Sequence, residues 1–286
     1  MEKLQHFHEH LIFKSPKHLV KVLIDKEINP IYHDHNFYEL IVVTQGRGTH
    51  KIGSSIVPVN RGDVFAIPPD IAHSFLDKEN LEIMNILFKT EFIQKRKHKS
   101  KSFPGYLKLM EIEPFLRQNY DYSMFLHLNS TQLEEIQRDI KFIDDANNIY
   151  NIENFELQYH TAWRIIYYLS YLLEEQFKKN IIKVSSKYET QLLETLEYIH
   201  QNFSNKISVE ELAGRIFLSR STFLRHFQTV CGCSPTQYLC QYRAKKAEEL
   251  LENSTMSKTE IAHACGFYDL SHMEKYIRTN RTTIHG

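Results

Sequence analysis

The chain has 286 residues, 42% of them hydrophobic and 24% charged, which exceeds one ordinary core and is too apolar for extended disorder, so two folded domains and a connection are expected. Lys and Arg number 35, as do Asp and Glu, so no bulk charge draws the protein to nucleic acid, and a DNA partner must be argued from local geometry. No apolar run approaches the roughly 20 residues that cross a bilayer, and the start (Met1-Glu2-Lys3-Leu4-Gln5-His6) lacks a secretory core, so a cytoplasmic protein without a membrane partner is expected.

From about Lys21 to Phe88 short apolar runs (Leu40-Ile-Val-Val43, Ile56-Val57, Val64-Phe65-Ala66-Ile67) are punctuated by Gly46, Gly48, Gly62, Pro68 and Pro69. This spacing predicts an antiparallel barrel or sandwich, read as a sensor domain. The basic stretch Lys95–Lys101 reads as a solvated loop. After Pro114 the period becomes helical. Ser130 or Thr131 is placed to cap a helix carrying Leu133, Ile136, Ile140 and Ile143, with Glu134 as the acid of a capping box. A second helix over 153–179 carries Tyr159, Trp163, Ile166, Leu169 or Ser170, Leu173 and Phe177, a stripe that suits either intramolecular core or a dimer seam. Residues 178–187 are the expected linker, and 188–203 is amphipathic again.

Beyond Ile207 the helices shorten. Ser208 caps 209–216, Phe217-Leu218 form a turn, and Ser219 caps a helix to about Val230, with Leu212, Ala213, Ile216, Phe223 and Phe227 as shared core. Ser257 caps 258–264, Cys265-Gly266-Phe267 turn, and a further helix covers about 269–279. Ala262 answers Ala213, and Met273, Lys275 and Ile277 answer Phe223, Arg225 and Phe227. One such pair could be a structural hairpin. Two, about 50 residues apart and joined by a helix over 235–252, suit successive major-groove segments. The segment from Ser185 holds 12 basic and 11 acidic residues, so its basic groups must gather on one face. Cys231, Cys233, Cys240 and Cys265 lack metal-site spacing and read as reduced thiols.

Gly232-x-Ser234-Pro235-x-x-Tyr238-Leu239-x-x-Tyr242-Arg243, then Ala247-x-x-Leu250-Leu251-x-x-Ser254 and Ile261-Ala262-x-x-x-Gly266-Phe267, resemble the DNA-binding domain of AraC/XylS regulators over about 188–277. The resemblance implies a reader with two recognition helices in adjacent major grooves, an activator contacting RNA polymerase. Carried across, DNA-facing positions are Arg220, Ser221, Thr222, Leu224 and Arg225 on the first helix, and Leu270, Ser271, His272, Glu274 and Lys275 on the second. Arg225 can fork onto guanine N7 and O6, whereas Lys275 suits a phosphate. The family's Gly-x-[Ser/Thr]-Pro turn and closing helix have no counterpart in Asn280–Gly286, so Met273, Tyr276 and Ile277 are expected to be partly exposed.

His33-x-His35-x-x-x-Glu39 with Gly46, and Gly62 with Pro68 and His73, resemble the two cupin motifs, with Asp70 in place of a glycine. These four residues, His33, His35, Glu39 and His73, suit an effector pocket, structural roles or a divalent metal; no cofactor is assigned. The motif order and the Glu82–Leu87 strand look most like rhamnose-responsive regulators. The expectation is an α+β multidomain chain: a cupin-like effector-binding β-barrel (1–103), a helical linker and dimerisation region (104–184) and an all-α double helix-turn-helix domain (185–286). It is read as a homodimeric, non-enzymatic activator that binds double-stranded DNA under a small polar, carbohydrate-like effector. The alternative is a metal-dependent cupin enzyme carrying a helix-turn-helix module.

Overall fold

The computed structural model describes residues 4–285 apart from 14, 16–17, 26–30, 53–54, 101–102, 104, 120–125, 148–151, 184–186 and 232. Gly232 of the family motif and part of the expected linker lie outside these residues. The chain divides into two compact units, Met1–Asn180 and Ile181–Gly286.

The first unit is built on one eight-stranded sheet. Its strands are β1 (Gln5–Phe7), β2 (Val20–Asp25), β3 (His33–His35), β4 (Tyr38–Ile52), β5 (Ser55–Asn60), β6 (Asp63–Ile67), β7 (His73–Phe88) and β8 (Leu126–His127), with a short helix, α1 (Glu9–Ile12), after β1. The path runs β1-β3-β7-β4-β6-β8, with β2 on β7 and β5 on β4. No pairing joins β1 to β8 among the described residues, so the expected closed barrel is an open sheet. The two long strands account for this shape. Register shifts between Val43 and Gln45, Gln45 and Arg47, and Arg47 and Thr49 bend β4 as bulges do, and Gly46 at φ +71° has no room for a side chain. They also change the inward parity. Ile41 and Val43 face the same core as Ile52, together with Phe65, Ile67, Phe75 and Ile83.

Helices follow: α2 (Thr90–Gln94), α3 (Lys97–Ser100), a π-helical stretch (Lys108–Ile112) running into α4 (Glu113–Asn119), α5 (Ser130–Asn147) and α6 (Ile152–Lys183). Three expectations change here. The basic stretch is partly helical because Ser100 is buried, its hydroxyl 2.9 Å from that of Tyr167. The cap of α5 is Asn129, whose side chain accepts from the Gln132 amide while the Gln132 side chain accepts from the Asn129 amide; an amide pair one residue upstream wins over Ser130 and Glu134. Most of the expected linker is helix, since α6 continues to Lys183 and α7 begins at Lys187.

The α6 stripe is intramolecular. Trp163, Ile166, Leu169 and Leu173 are buried, and Trp163 stacks on Phe92 of α2, which stacks in turn on Phe88 of β7. Gly105, at φ +75°, lets the backbone touch α6 so closely that a Cβ would lie 2.0 Å from the Ser170 carbonyl oxygen.

The second unit contains α7 (Lys187–Asn202), α8 (Val209–Arg215), α9 (Arg220–Cys231), α10 (Pro235–Asn253), α11 (Lys258–Ala264) and α12 (Leu270–His285). Gly105→Ala combines a strained φ with a backbone collision and is expected to lower the stability of the first unit by about 2–4 kcal/mol, measurable by urea unfolding.

Candidate functional sites

Two constellations stand out, one in each unit. In the first, β3, β4 and β7 converge: His33 lies opposite His73 across the β3–β7 pairing, and Glu39 sits at the start of β4. His35, Glu39 and His73 are buried. Every imidazole is anchored by its own backbone. Nδ1 of His33 donates to the Ile31 carbonyl (2.9 Å), that of His35 to Phe37 (2.8 Å) and that of His73 to Ile71 (3.1 Å). A carbonyl only accepts, so Nδ1 carries the proton and Nε2 is left for the site.

Glu39 Oε2 lies 3.1 Å from Nε2 of His35 and 3.2 Å from Nε2 of His73. Burial opposes its charge, but these two contacts, which act as hydrogen bonds only where Nε2 also carries a proton, hold the carboxyl well below the usual carboxylate range. An anion among acceptor nitrogens requires a shared proton or cation at Nε2. Ligand atoms of His33, Glu39 and His73 all lie within 4.8 Å of one another, a donor set that fits a borderline divalent ion. His35 is outside that group and orients Glu39. Burial first, and the neighbouring His73 second, lower the His33 pKa to about 4.

Pattern reading missed His50. It is fully buried on β4, its ring 5.6 Å from that of His73. Cupin spacing does not include it; the signal was its place beyond the bulges of β4, where inward parity is not countable from sequence.

In the second unit the two small helix pairs share one construction. Ser208 accepts from the Glu211 amide and caps α8; Ser257 and Glu260 form a capping box on α11. After each first helix the chain reverses in the same way: the amide of Leu218 donates to Ala213, and that of Phe267 to Ala262. The left-handed residue of the turn is Gly266 in the second copy, at φ +77°, and Phe217 in the first, at φ +57° and 93% exposed. The second helix of each pair starts on a side-chain cap, Ser219 to the Thr222 amide and Asp269 to the His272 amide.

Inward residues keep register. Phe223 and Phe227 are buried on α9, and Met273 and Ile277 on α12. Met273 and Ile277 are therefore not exposed as expected; Ala244 and Ala247 of α10 with Ile261, Ala262 and Phe267 already close that core, and Tyr276 packs against it. Arg243 braces the joint from α10, donating to the carbonyls of Phe203 (2.7 Å) and Asn205 (2.8 Å).

Outward, Arg220, Ser221 and Arg225 on α9 are exposed, as are Ser271 and Lys275 on α12, while Leu224 and Glu274 are half-buried. Arg220 pairs with Glu210 (2.8 Å), and Thr222 bonds the Ser219 hydroxyl (2.9 Å). Leu270 packs against the core, and His272 packs edge-on to Phe267 and Tyr276. Sequence reading also passed over Gln228 and Arg278, both exposed one turn further along.

Comparison with known proteins gives the same two parts. A family model described as a helix-turn-helix domain matches residues 212–281, and one described as an AraC-like ligand binding domain matches 27–121. The HTH-type transcriptional activator RhaS of Klebsiella pneumoniae (strain 342) is 26% identical over 247 residues, covering 86% of this chain and 82% of the relative. The DNA-binding domain of AdpA, solved with a target DNA, is 34% identical over 31% of this chain and 80% of that one, with a TM-score of 0.30. ToxT from Vibrio cholerae is 14% identical over 91% of this chain and 93% of that one, with a TM-score of 0.37.

The His33 shift has a pH consequence. Its folded pKa lies below the ordinary value of 6.5, so the unfolded chain binds more protons between the two values, and stability falls as pH drops from 6.5 towards 4. A loss on the order of 2 kcal/mol is expected across that window in metal-free protein. Urea unfolding at stepped pH checks it, and His33→Asn should flatten the slope.

Proposed function

We propose, for a chain that belongs to the AraC family of DNA-binding transcription regulators, that it is a sequence-specific activator switched by a small polar, carbohydrate-like effector held at His33, His35, Glu39 and His73. The observation that carries the DNA half is the common register of α9 and α12. Each helix buries one face (Phe223 and Phe227; Met273 and Ile277) and exposes the residue two positions after the first of these, Arg225 or Lys275. Two matching outward faces, each on a capped helix pair with its own small core, suit insertion into two major-groove segments.

Arg225 is the base reader in this proposal and Lys275 a phosphate contact, with Ser221 and Ser271 beside them. The remaining positions, Arg220, Thr222, Leu224, Leu270, His272 and Glu274, form the flanks of the two faces, and those tied into caps or core act by holding the helices. RNA polymerase is the partner that activation requires. With the α6 stripe buried, a homodimer is proposed through the apolar residues that the helical region 104–184 leaves exposed, Phe142, Leu157 and Tyr171; this region joins the effector domain (1–103) to the DNA-binding domain (185–286) in a cytoplasmic, non-enzymatic regulator. The resemblance to the RhaS activators supports activation and a sugar-like effector. Control by ligand needs unequal affinity for two states.

Selection of bound sites from random duplexes tests the assignment. Arg225→Ala is expected to erase preference at one base position, a loss of about 1–3 kcal/mol against the wrong base, whereas Lys275→Ala should weaken all sites alike and reduce the salt dependence by about one phosphate contact. Unchanged selectivity in both would remove this reading.

A second reading, a metal-dependent cupin enzyme, is favoured by the closeness of the His33, Glu39 and His73 ligand atoms. Those three would hold the ion, which would supply a Lewis acid, with His35 steering Glu39. Elemental analysis of purified protein separates the two. The effector pocket predicts less than stoichiometric metal in the parent and sugar binding lost in His33→Ala and His73→Ala; the enzyme predicts one ion per chain, lost in the same variants.

A further inference from the structure

His50 is a buried polar group that the four-residue cluster leaves unused. Its ring stacks on Phe75, 4.6 Å between centroids, and stands edge-on to His73. Nη1 of Arg117 lies 3.4 Å from His50 Nδ1. A guanidinium has donors only, so Nδ1 accepts and the ring proton sits on Nε2. Burial, then the charge of Arg117, hold this imidazole well below its ordinary range, in keeping with a neutral ring. Nε2–H finds no acceptor among the described residues, and a buried donor without an acceptor is costly. Arg117 is paired through one nitrogen, Nη2, while its Nε and Glu113 Oε1 lie close without forming a hydrogen bond. Its Nε lies 2.8 Å from Glu113, and its Nη2 donates to Glu113 (3.0 Å) and to the Ala66 carbonyl (3.1 Å).

We infer that His50 is a fifth ligand-contacting residue, donating from Nε2 to an oxygen of a neutral, multiply hydroxylated small molecule; this rests on the effector reading above. At the His50 end the ligand must accept. At the Glu39 end it meets a carboxylate, so it must donate. His73 links the two ends, its ring 5.6 Å from His50 and its Nε2 3.2 Å from Glu39, which is within the span of a few carbon atoms. Hydroxyl groups satisfy both ends. A carboxylate or phosphate would satisfy His50 but be repelled at Glu39, and the guanidinium of Arg117 is turned to Glu113 and the Ala66 carbonyl through Nη2.

The test is calorimetric titration of the full chain with neutral aldopentoses, aldohexoses and 6-deoxyhexoses, each beside its aldonate. Parent, His50→Phe and His33→Ala are compared, together with their ligand-free melting temperatures. Phenylalanine keeps the stacking on Phe75 and removes the donor. A neutral sugar is expected to bind, its aldonate at least tenfold more weakly, and His50→Phe is expected to weaken the sugar at least tenfold without lowering the ligand-free melting temperature. Equal sugar affinity in parent and His50→Phe overturns the role of His50; if His33→Ala still abolishes binding, the effector site itself stands. Preference for aldonates, or no binding of any sugar, overturns the ligand class. If His50→Phe does not fold, His50→Gln, which keeps an N–H donor, should hold affinity within threefold while His50→Leu loses it; equal loss in both overturns the donor assignment.

Discussion

Three hydrogen bonds from imidazole Nδ1 to main-chain carbonyls set the chemistry of the sheet domain. Each partner is only two residues away along the chain: Ile31 for His33, Phe37 for His35 and Ile71 for His73. Because the anchors are local, the direction of each ring follows from backbone conformation and not from whatever occupies the site. Glu39 is then caught between two Nε2 atoms. His35 and His73 favour its charge against burial, so the carboxylate and these two imidazoles form one electrostatic unit. The bends in β4 matter for the same reason: they bring His50 back to the face that Ile41 and Val43 line, at the cost of regular pairing.

The helical unit follows a different logic, in which a small apolar core fixes the spacing and polar caps fix the ends. Each short helix begins on a side-chain oxygen, and each turn closes through an amide donated back to an alanine carbonyl. Alanine at 213 and 262 permits that approach. The buried Arg243 ties α10 to the chain before α8 through two carbonyls, so a residue that family resemblance marks as characteristic is structural in this fold. Its burial lowers its pKa without removing its charge at any ordinary pH.

Much of the helical unit was legible in the sequence because its signals are local. Ser208, Ser219 and Ser257 cap where the spacing placed them, and Phe223 with Phe227 and Met273 with Ile277 are buried as the repeat required. The cluster of His33, His35, Glu39 and His73 was legible as a motif, though not the split between three close ligand atoms and one orienting ring. The misses are long-range. Closure of the sheet depends on which strands pair at its ends, and the burial of the α6 stripe depends on Phe92 and Phe88, far away in sequence. The exposure expected for Met273 and Ile277 failed because a missing neighbour was inferred without counting the cover that α10 supplies. Asn129 outcompeted Ser130 through a reciprocal amide pair that composition alone does not rank.

The two reversals in the helical unit are alike in hydrogen bonding and unlike in residue. Gly266 adopts the left-handed conformation freely, whereas Phe217 holds it against its own Cβ, with a ring 93% in solvent that recovers nothing by packing. Strain of this kind is on the order of 1 kcal/mol, equivalent to about fivefold in an equilibrium between closed and frayed turns. The paired supports therefore differ in backbone strain: the turn between α8 and α9 costs more to keep closed than the glycine turn between α11 and α12.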